Sequence, residues 1–306
     1  MEKLKRERVI AWIAISISAI FANLWAYWGI FENFHEGWYH PSFLQNVLMM
    51  FGQYLLMPLG FMLLAFVSIR WHKVGAVCHL LLACGAYYLF GKMGAGLMLV
   101  SIPLVGLAVL YWFGQIQKRK LAYILVIGLP LLQIFGIGTV LSIRVANRYY
   151  DGNFGARQIK GNGVELIWAP QGPGWPDKGT SWYEAKQICS HLNADGKTLS
   201  DKELNIWRLP TINEAVRSSI HHGKDAGGVW DSISRTASYQ HYPDKESPLW
   251  NLHLMTIYWW TSTEVDDKNA YIIVYNGGVY PRSKKTKANY MNFRAVKEVK
   301  KMSLTQ

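Results

Sequence analysis

Leu121–Ile143 reads LAYILVIGLPLLQIFGIGTVLSI, a run of 23 residues without a charged side chain. An α-helix rises about 1.5 Å per residue and needs roughly 20 apolar residues to cross the hydrocarbon core of a bilayer. The run meets that length, so it predicts a transmembrane helix. Lys118–Lys120 precede it and Arg144 follows it, and these charges mark its two ends.

Four further apolar runs precede this one, each bounded by polar or charged residues: Val9–Ile30, Val47–Ile69, Val74–Phe90 and Met93–Phe113. Val74–Phe90 is the shortest and lies near the lower length limit for a span. No small-residue cleavage pattern follows the first run, which we interpret as a retained anchor and not as a removed signal peptide. The sequence thus predicts an α-helical membrane bundle of about five transmembrane helices within residues 1–143.

The basic residues between the predicted spans indicate the orientation of the bundle. With five spans, nine Lys and Arg at positions 3–8, 70–73 and 118–120 face one side of the membrane. Lys92, in a predicted tight turn, is the single basic residue on the other side. Loops that remain in the cytoplasm carry the excess of Lys and Arg. We therefore expect a cytoplasmic N-terminus and a C-terminal half outside the cytoplasm.

The chemical character of the chain changes near its middle. Residues 1–150 contain 12 Lys and Arg against 4 Asp and Glu, whereas residues 151–306 contain 20 against 16. A basic balance can indicate a nucleic-acid partner, but here the excess lies in short loops between apolar runs, so we expect none. We interpret residues 144–163 as a polar linker, 164–298 as a water-soluble domain and 299–306 as a tail.

Local patterns in the soluble half predict a small α+β domain. Val164–Trp168 has the composition of a strand, and Asn276-Gly277 is typical of a hairpin turn. Ser181–Glu184 and Thr211–Glu214 have the spacing of capping boxes, which predicts that a helix begins at each. The remaining predicted strands are residues 258–262, 270–275, 278–282 and 289–296. Two helices and a mostly antiparallel sheet are expected.

Four motifs of this half resemble the Lcl C-terminal-type domain of bacterial surface and secreted proteins: SWYEAKQICSHLN (181–193), WRLPTINEA (207–215), YWWTST (258–263) and NFRAVK (292–297). The resemblance covers roughly residues 163–298, about half of the chain. That family has the C-type-lectin-like fold and is related to the formylglycine-generating, sulfatase-modifying domain. The resemblance implies a lectin-like fold and an extracytoplasmic location, here on a bacterial cytoplasmic (inner) membrane.

The chemistry of the better-known relatives is not expected from these residues. Formylglycine-generating enzymes use paired cysteines to hold copper, whereas this domain has only Cys189, and Cys78 and Cys84 lie in the third predicted span. Calcium-dependent lectins use E-P-N or Q-P-D and W-N-D motifs. Tyr242-Pro243-Asp244 and Trp250-Asn251-Leu252 match these only in part. Calcium-dependent sugar binding stays open, but no cofactor is predicted.

A stretch with little expected regular structure, residues 223–257, is the predicted recognition surface. A loop of this length is uncommon unless it binds something or is disordered. The basic run 282–287 is either a solvated hairpin tip or a patch that contacts anionic groups. The predicted ligand contacts in these two segments are Trp230, Asp231, Tyr242, Trp250, His253, Arg282, Lys284 and Lys285.

Two sets of residues include potential metal ligands. The loop after the first span contains Glu32, His35, Glu36 and His40, and Glu32 and His35 have the E-x-x-H spacing of carboxylate-bridged di-iron sites. The membrane half offers no second E-x-x-H, so an interfacial or re-entrant segment is the favoured interpretation. The second set comprises His221, His222, His241 and His253 with Asp225, Asp231 and Asp244. Its irregular spacing favours solvated loop residues over a metal site.

Two functional hypotheses follow from the sequence. The first is a membrane-anchored module whose lectin-like domain binds a glycan, a peptide or a partner protein outside the cytoplasm. The alternative is a membrane enzyme with a metal or catalytic site between bundle and domain, formed by Glu32, His35, Glu36 and His40. The chain has no G-x-S-x-G or H-E-x-x-H motif, and no catalytic residues are predicted.

Overall fold

The structure, a computed structural model, describes residues 2–90 and 94–299. It divides into two compact units: Met1–Trp38 with Ser42–Val145, and Tyr39–Pro41 with Ala146–Gln306. The predicted turn at Gly91-Lys92 lies outside the described residues. So do Met93, the first residue of the fourth predicted span, and residues 300–306 of the predicted tail.

The first unit is helical. Its α-helices are α1 (Glu2–His35), α2 (Phe43–Met49), α3 (Leu56–Arg70), α4 (His72–Phe90), α5 (Gly94–Gly96), α6 (Ile102–Phe113), α7 (Arg119–Tyr123) and α8 (Leu129–Ala146). Three five-residue π-helical segments join some of these helices: Met50–Tyr54, Leu97–Ser101 and Ile124–Gly128.

Within the described residues, four helices are long and apolar enough to cross a membrane: Glu2–His35, His72–Phe90, Gly94–Phe113 and Arg119–Ala146. Phe43–Tyr54 and Leu56–Arg70 make a fifth if this pair, bent by 59°, counts as one broken span. The shortest predicted span belongs to a continuous helix of 19 residues, α4. The first unit is therefore a bundle of about four apolar helices, with a broken fifth that coincides with the second predicted span.

Each of the π-helical segments is followed by a proline: Pro58, Pro103 and Pro130. Proline has no N–H to donate, and its ring clashes with the carbonyl four residues earlier in a regular α-helix. In all three cases that carbonyl belongs to a residue of the π-helical segment. A π turn changes the hydrogen-bond register, and local adjustments of this kind satisfy the backbone around proline in membrane helices.

The first unit packs small side chains inside and exposes large apolar ones. Ala14, Ala22 and Ala26 of α1 are buried, whereas Leu81, Leu132 and Phe135 point outward. Small residues let helices approach closely in a membrane, where burial of apolar surface gives no driving force between helices. An apolar outer surface of this kind suits contact with lipid.

The second unit contains two α-helices and eleven strands among its described residues. They are β1 (Arg157–Gly161), β2 (Val164–Trp168), α9 (Trp182–His191), α10 (Ile212–Arg217), β3 (Ile220–His221), β4 (Lys224–Asp225), β5 (Val229–Asp231), β6 (Thr236–Ser238), β7 (Tyr258–Glu264), β8 (Asn269–Val274), β9 (Val279–Ser283), β10 (Met291–Asn292) and β11 (Val296–Glu298). One sheet has the order β1-β2-β11 and another the order β10-β7-β8-β9; β3-β4 and β5-β6 are separate hairpins.

Both predicted capping boxes are confirmed. The Ser181 and Thr211 hydroxyls accept from the N–H of Glu184 and Glu214, and each glutamate accepts from the cap residue's N–H. Five strands were not predicted. β3 to β6 form two short hairpins within residues 220–238, at the start of the stretch that was expected to have little regular structure. The fifth is β1, because residues 157–161 had been interpreted as linker. Only one apolar side chain in this strand, Ile159, faces the core, and a single buried residue gives no alternation that the sequence could reveal.

The last predicted strand, residues 289–296, divides into β10 and β11, which belong to different sheets. Between them lies Arg294, which is buried. Its guanidinium donates to the carbonyls of Ala169, Pro248 and Leu249 and lies 3.9 Å from the centre of the Trp175 ring. These hydrogen bonds and the aromatic contact offset part of the cost of burying the charge, and they hold the chain where it passes between the sheets.

Candidate functional site

A tight hairpin in the second unit carries two consecutive histidines. His221 ends β3 and pairs with Lys224 of β4, so the turn consists of His222 and Gly223 alone. Both turn residues have positive φ, +48° and +75°, as a two-residue hairpin turn requires. A left-handed residue other than glycine costs on the order of 1 kcal/mol and must be held by its surroundings. The backbone of His222 is therefore held by other contacts.

The buried carboxylate of Glu246 provides those contacts. Oε2 accepts a hydrogen bond from the His222 backbone N–H at 2.6 Å, and Oε1 lies 3.3 Å from His222 Nδ1. The Glu246 side chain is 1 % exposed. The His221 ring lies 4.1 Å from the His222 ring and 6.1 Å from that of His241. We call His221, His222 and Glu246 the His–Glu cluster.

The segment that contains Glu246 is itself anchored on both sides. The Glu246 carbonyl accepts from the N–H of Trp250 at 2.8 Å. Arg148 forms a buried ion pair with Asp244 at 2.9 Å. The Ser247 hydroxyl accepts from the backbone N–H of Asp151. Each of these bonds fixes a residue within four positions of Glu246, so the carboxylate has little freedom to leave the histidine turn.

Lys245 is buried in the same segment, and its Nζ donates to the carbonyl of Leu254. Burial, together with the neighbouring charge of Arg148, lowers the pKa of Lys245 to about 7. Asp244 acts in the opposite direction and favours the charged form. Residues 244–247 therefore form a continuous stretch of buried polar side chains, which is uncommon and costly unless each is paired.

A second feature lies on the surface of the same unit. Tyr239 donates its hydroxyl to the carbonyl of Gly277 at 3.1 Å, and the ring of Tyr242 lies 6.2 Å from that of Tyr239. A Cβ built on Gly278 would lie 2.9 Å from the Tyr280 ring, so this ring also lies against the turn. Tyr242 is 72 % and Tyr280 54 % exposed. We call Tyr239, Tyr242 and Tyr280 the tyrosine surface.

The residues predicted in the 223–257 stretch are in different environments. Tyr242 is exposed and belongs to the tyrosine surface. Asp231 is exposed, caps its own turn by accepting from Ile233 and Ser234, and Trp230 packs edge-on against the buried Tyr271. Trp250 is 6 % exposed and stacks in the core. His253 Nδ1 donates to the carbonyl of Tyr39, which belongs to the same unit.

The residues of the basic run 282–287 also lie in different environments. Arg282 and Lys285 are exposed. Lys284 is buried: its ammonium pairs with Glu264, donates to the carbonyl of Asp267 and lies 4.9 Å from the centre of the Trp182 ring. The charge of Lys284 is therefore used within the fold. Of the predicted ligand contacts in this run, Arg282 and Lys285 remain exposed; Lys287 is also exposed and pairs with Glu184.

Among the described residues, the His–Glu cluster is the one group of three or more potential metal ligands whose ligand atoms all lie within 4.8 Å of one another. Glu32, His35, Glu36 and His40 do not form such a group. His221 and His222 were weighed as ligands from the sequence, whereas Glu246 was missed. It lies 24 residues beyond His222, and no spacing pattern connects residues so far apart.

Cys189 lies on the buried face of α9. Burial raises the pKa of its thiol well above the ordinary value, and a thiol that remains protonated is a poor nucleophile and a poor metal ligand.

Comparison of the chain with family models, with curated proteins and with solved structures gives no match in any of the three.

Proposed function

We propose that this chain is a membrane-anchored recognition protein whose C-terminal domain, lectin-like in fold, binds a glycan through the tyrosine surface. The apolar helices anchor the domain, and the predicted topology places it outside the cytoplasm. The observation that carries the proposal is the exposure of Tyr242 and Tyr280, 72 % and 54 %. Tyr280 lies against Gly278 of the glycine turn, and Tyr242 lies beside Tyr239, which packs on Gly277.

The chemistry of these rings fits such a ligand. Tyrosine offers a flat apolar face and a hydroxyl at its edge, so it can pack on the apolar face of a sugar ring and hydrogen-bond its hydroxyls. Tyr239 is held by its bond to Gly277, and a fixed ring loses little conformational entropy on binding. Arg282 follows Tyr280 by two positions on β9, so both point to one face of this edge strand and a basic group accompanies the rings.

Binding of the full-length protein in detergent to an array of bacterial envelope glycans tests this proposal. Tyr242→Ala and Tyr280→Ala should each weaken binding to the retained glycan by roughly 10-fold or more, as expected when an aromatic contact residue is removed. Tyr183→Ala is the matched control, because Tyr183 is 51 % exposed but lies on α9, away from the tyrosine surface.

The proposal is wrong if wild-type protein retains no glycan. It is also wrong if Tyr242→Ala and Tyr280→Ala bind the retained glycan as well as the control Tyr183→Ala does. The protein could instead bind envelope peptides and lose that binding in Tyr242→Ala and Tyr280→Ala. The tyrosine surface would then still be the binding site, but its ligand would be a peptide and not a glycan.

A further inference from the structure

We propose that His221, His222 and Glu246 bind a single Zn²⁺ ion. The inference is independent of the tyrosine surface and of what that surface binds. It rests on the mutual positions of the three side chains, on the buried charge of Glu246 and on a His221 nitrogen that has no hydrogen-bond partner within residues 2–90 and 94–299.

The distances within the His–Glu cluster suit one ion. Zn²⁺ binds nitrogen and oxygen ligands at about 2.0–2.2 Å in a tetrahedron, which places neighbouring ligand atoms roughly 3.3–3.6 Å apart. His222 Nδ1 and Glu246 Oε1 are 3.3 Å apart. All three ligand atoms lie within 4.8 Å of one another, so a small rotation of the His221 side chain completes the approach.

The charge of the cluster also calls for a cation. Glu246 is almost fully buried, and the contacts of its carboxylate in the described part of the chain are the N–H and the imidazole of His222. A buried carboxylate is costly unless a positive charge is close. A divalent ion bound by both the imidazole and the carboxylate would neutralise the carboxylate.

His221 provides the third observation. Its Nδ1 is buried and has no hydrogen-bond partner among the described residues. Burying a polar atom without a partner is costly, and an ion is one of the partners that can offset this cost. A metal bound by this nitrogen would satisfy it.

The donor set identifies the ion class. Two imidazoles and one carboxylate suit zinc and similar transition ions, whereas calcium and magnesium prefer all-oxygen sites. Three protein ligands leave one coordination position open, as in zinc sites that bind water or a ligand. His241, whose ring is 6.1 Å from that of His221, is the nearest further imidazole and is not required by the proposal.

Titration of Zn²⁺ into the full-length protein tests the inference. The protein is purified without a polyhistidine tag, kept in detergent and treated with a chelator that is then removed. We expect one Zn²⁺ per chain by calorimetry and by metal analysis. Replacing a residue that only hydrogen-bonds to a metal ligand typically lowers metal affinity roughly 10- to 100-fold. Glu246→Gln replaces a ligand itself, so it should lower the affinity for Zn²⁺ by more than that. The amide oxygen of Gln can still accept the His222 N–H, so the turn is retained.

Further variants separate ligand loss from misfolding. Glu246→Asp keeps a carboxylate and should recover part of the affinity that Glu246→Gln loses. His191→Ala should bind as wild type does, because His191 lies on α9 and contacts Ser190 and Gln187. His35→Ala tests the C-terminal end of α1 and should also leave binding unchanged.

Two outcomes would overturn the inference. One is wild-type protein that binds less than one Zn²⁺ per chain at micromolar free metal. The other is binding that survives Glu246→Gln, whether or not it is lost in His35→Ala. Visible absorption of Co²⁺ in place of Zn²⁺ gives an independent readout, since the tetrahedral spectrum should appear in wild type and disappear in Glu246→Gln.

Discussion

The indole rings of Trp250 and Trp259 stack face to face, with their centroids 3.7 Å apart and their planes 10° from parallel. Trp250 also donates its backbone N–H to the carbonyl of Glu246. The packing of the Trp250 ring in the core therefore fixes the segment that carries the buried carboxylate of Glu246. Tyr242, eight residues earlier, is exposed. Two aromatic residues of the same irregular stretch therefore have different roles.

We expect Trp250→Ala to destabilise the second unit by about 3–5 kcal/mol, the usual cost of removing a large buried aromatic side chain. Tyr242→Ala should change stability by less than about 0.5 kcal/mol, as exposed substitutions do. The buried thiol of Cys189 gives the readout in the full-length protein: its rate of alkylation in urea reports unfolding of this unit alone. Equal effects of the two substitutions would contradict the assignment of Trp250 to the core.

Gly75 of α4 lies against Ser68 of α3. A Cβ on Gly75 would be 2.4 Å from the Cα of Ser68, so Gly75→Ala must push the two helices apart. We expect a loss of about 1–3 kcal/mol, typical of overpacking, seen as a lower thermal midpoint of the helical signal in detergent. Gly85→Ala in the same helix is the control, because a Cβ there meets no atom within 4 Å. A stable Gly75→Ala variant would show that the helices are not so close.

Glu214 links a capping box to an ion pair, since its two carboxylate oxygens each accept from Arg208 at 2.7 Å. Burial raises the pKa of Glu214, but the hydrogen bonds from Arg208 and Thr211 outweigh burial and hold it below its ordinary value of 4.5. A depressed pKa stabilises the fold above pH 4.5 and loses that contribution as the pH falls through the folded-state pKa.

Glu214→Gln should therefore be less stable than wild type at pH 7 by about 1–3 kcal/mol, the range for a charged hydrogen bond. The difference should shrink below pH 4.5, because only wild type loses the contribution of the Glu214 carboxylate when that group is protonated. Urea midpoints of the full-length protein from tryptophan emission, at several pH values between 7 and 3, measure this. A difference that does not depend on pH would mean that the carboxylate charge of Glu214 contributes nothing.

The predicted topology places the second unit outside the cytoplasm. Ser232→Cys introduces a thiol at an exposed position of that unit, and a membrane-impermeant maleimide should label it in intact cells. Glu2→Cys, at the N-terminus, should be labelled only after the cells are lysed. Peptide mass spectrometry separates both sites from the native cysteines. The reverse pattern would invert the orientation, and labelling of both sites in intact cells would require an even number of spans.

Features encoded by nearby residues could be predicted from the sequence. Ser181 and Glu184 are three positions apart and form the capping box that their spacing indicated. Asn276-Gly277 forms the turn between β8 and β9, with Gly277 at φ +86°. Both depend on hydrogen bonds and backbone angles within a few residues. The strand over 289–296 was only partly right, because its division into two sheets depends on the distant partners of Arg294.

The sequence also could not show which of the predicted ligand contacts are buried by distant residues. Lys284 belongs to a basic run that the sequence left as either a solvated tip or a binding patch. The structure buries it against Glu264 and the ring of Trp182. Trp250 was expected to contact a ligand because aromatic residues are common at recognition surfaces, yet it packs on Trp259. Composition indicates which side chains can bind a ligand, but only their packing decides which of them remain exposed.

The sequence by itself determined the division of the chain into an apolar helical half and a polar α+β half. Length and hydropathy of uninterrupted runs suffice for this, because each helix satisfies its own backbone hydrogen bonds wherever it lies. Only the tertiary structure decided that His222 meets Glu246 and that Tyr239, Tyr242 and Tyr280 surround one turn. His222 and Glu246 are 24 positions apart, and Tyr280 is roughly 40 positions beyond Tyr239 and Tyr242. These residues meet because the sheet, the core tryptophans and Arg148 fix the segments that carry them.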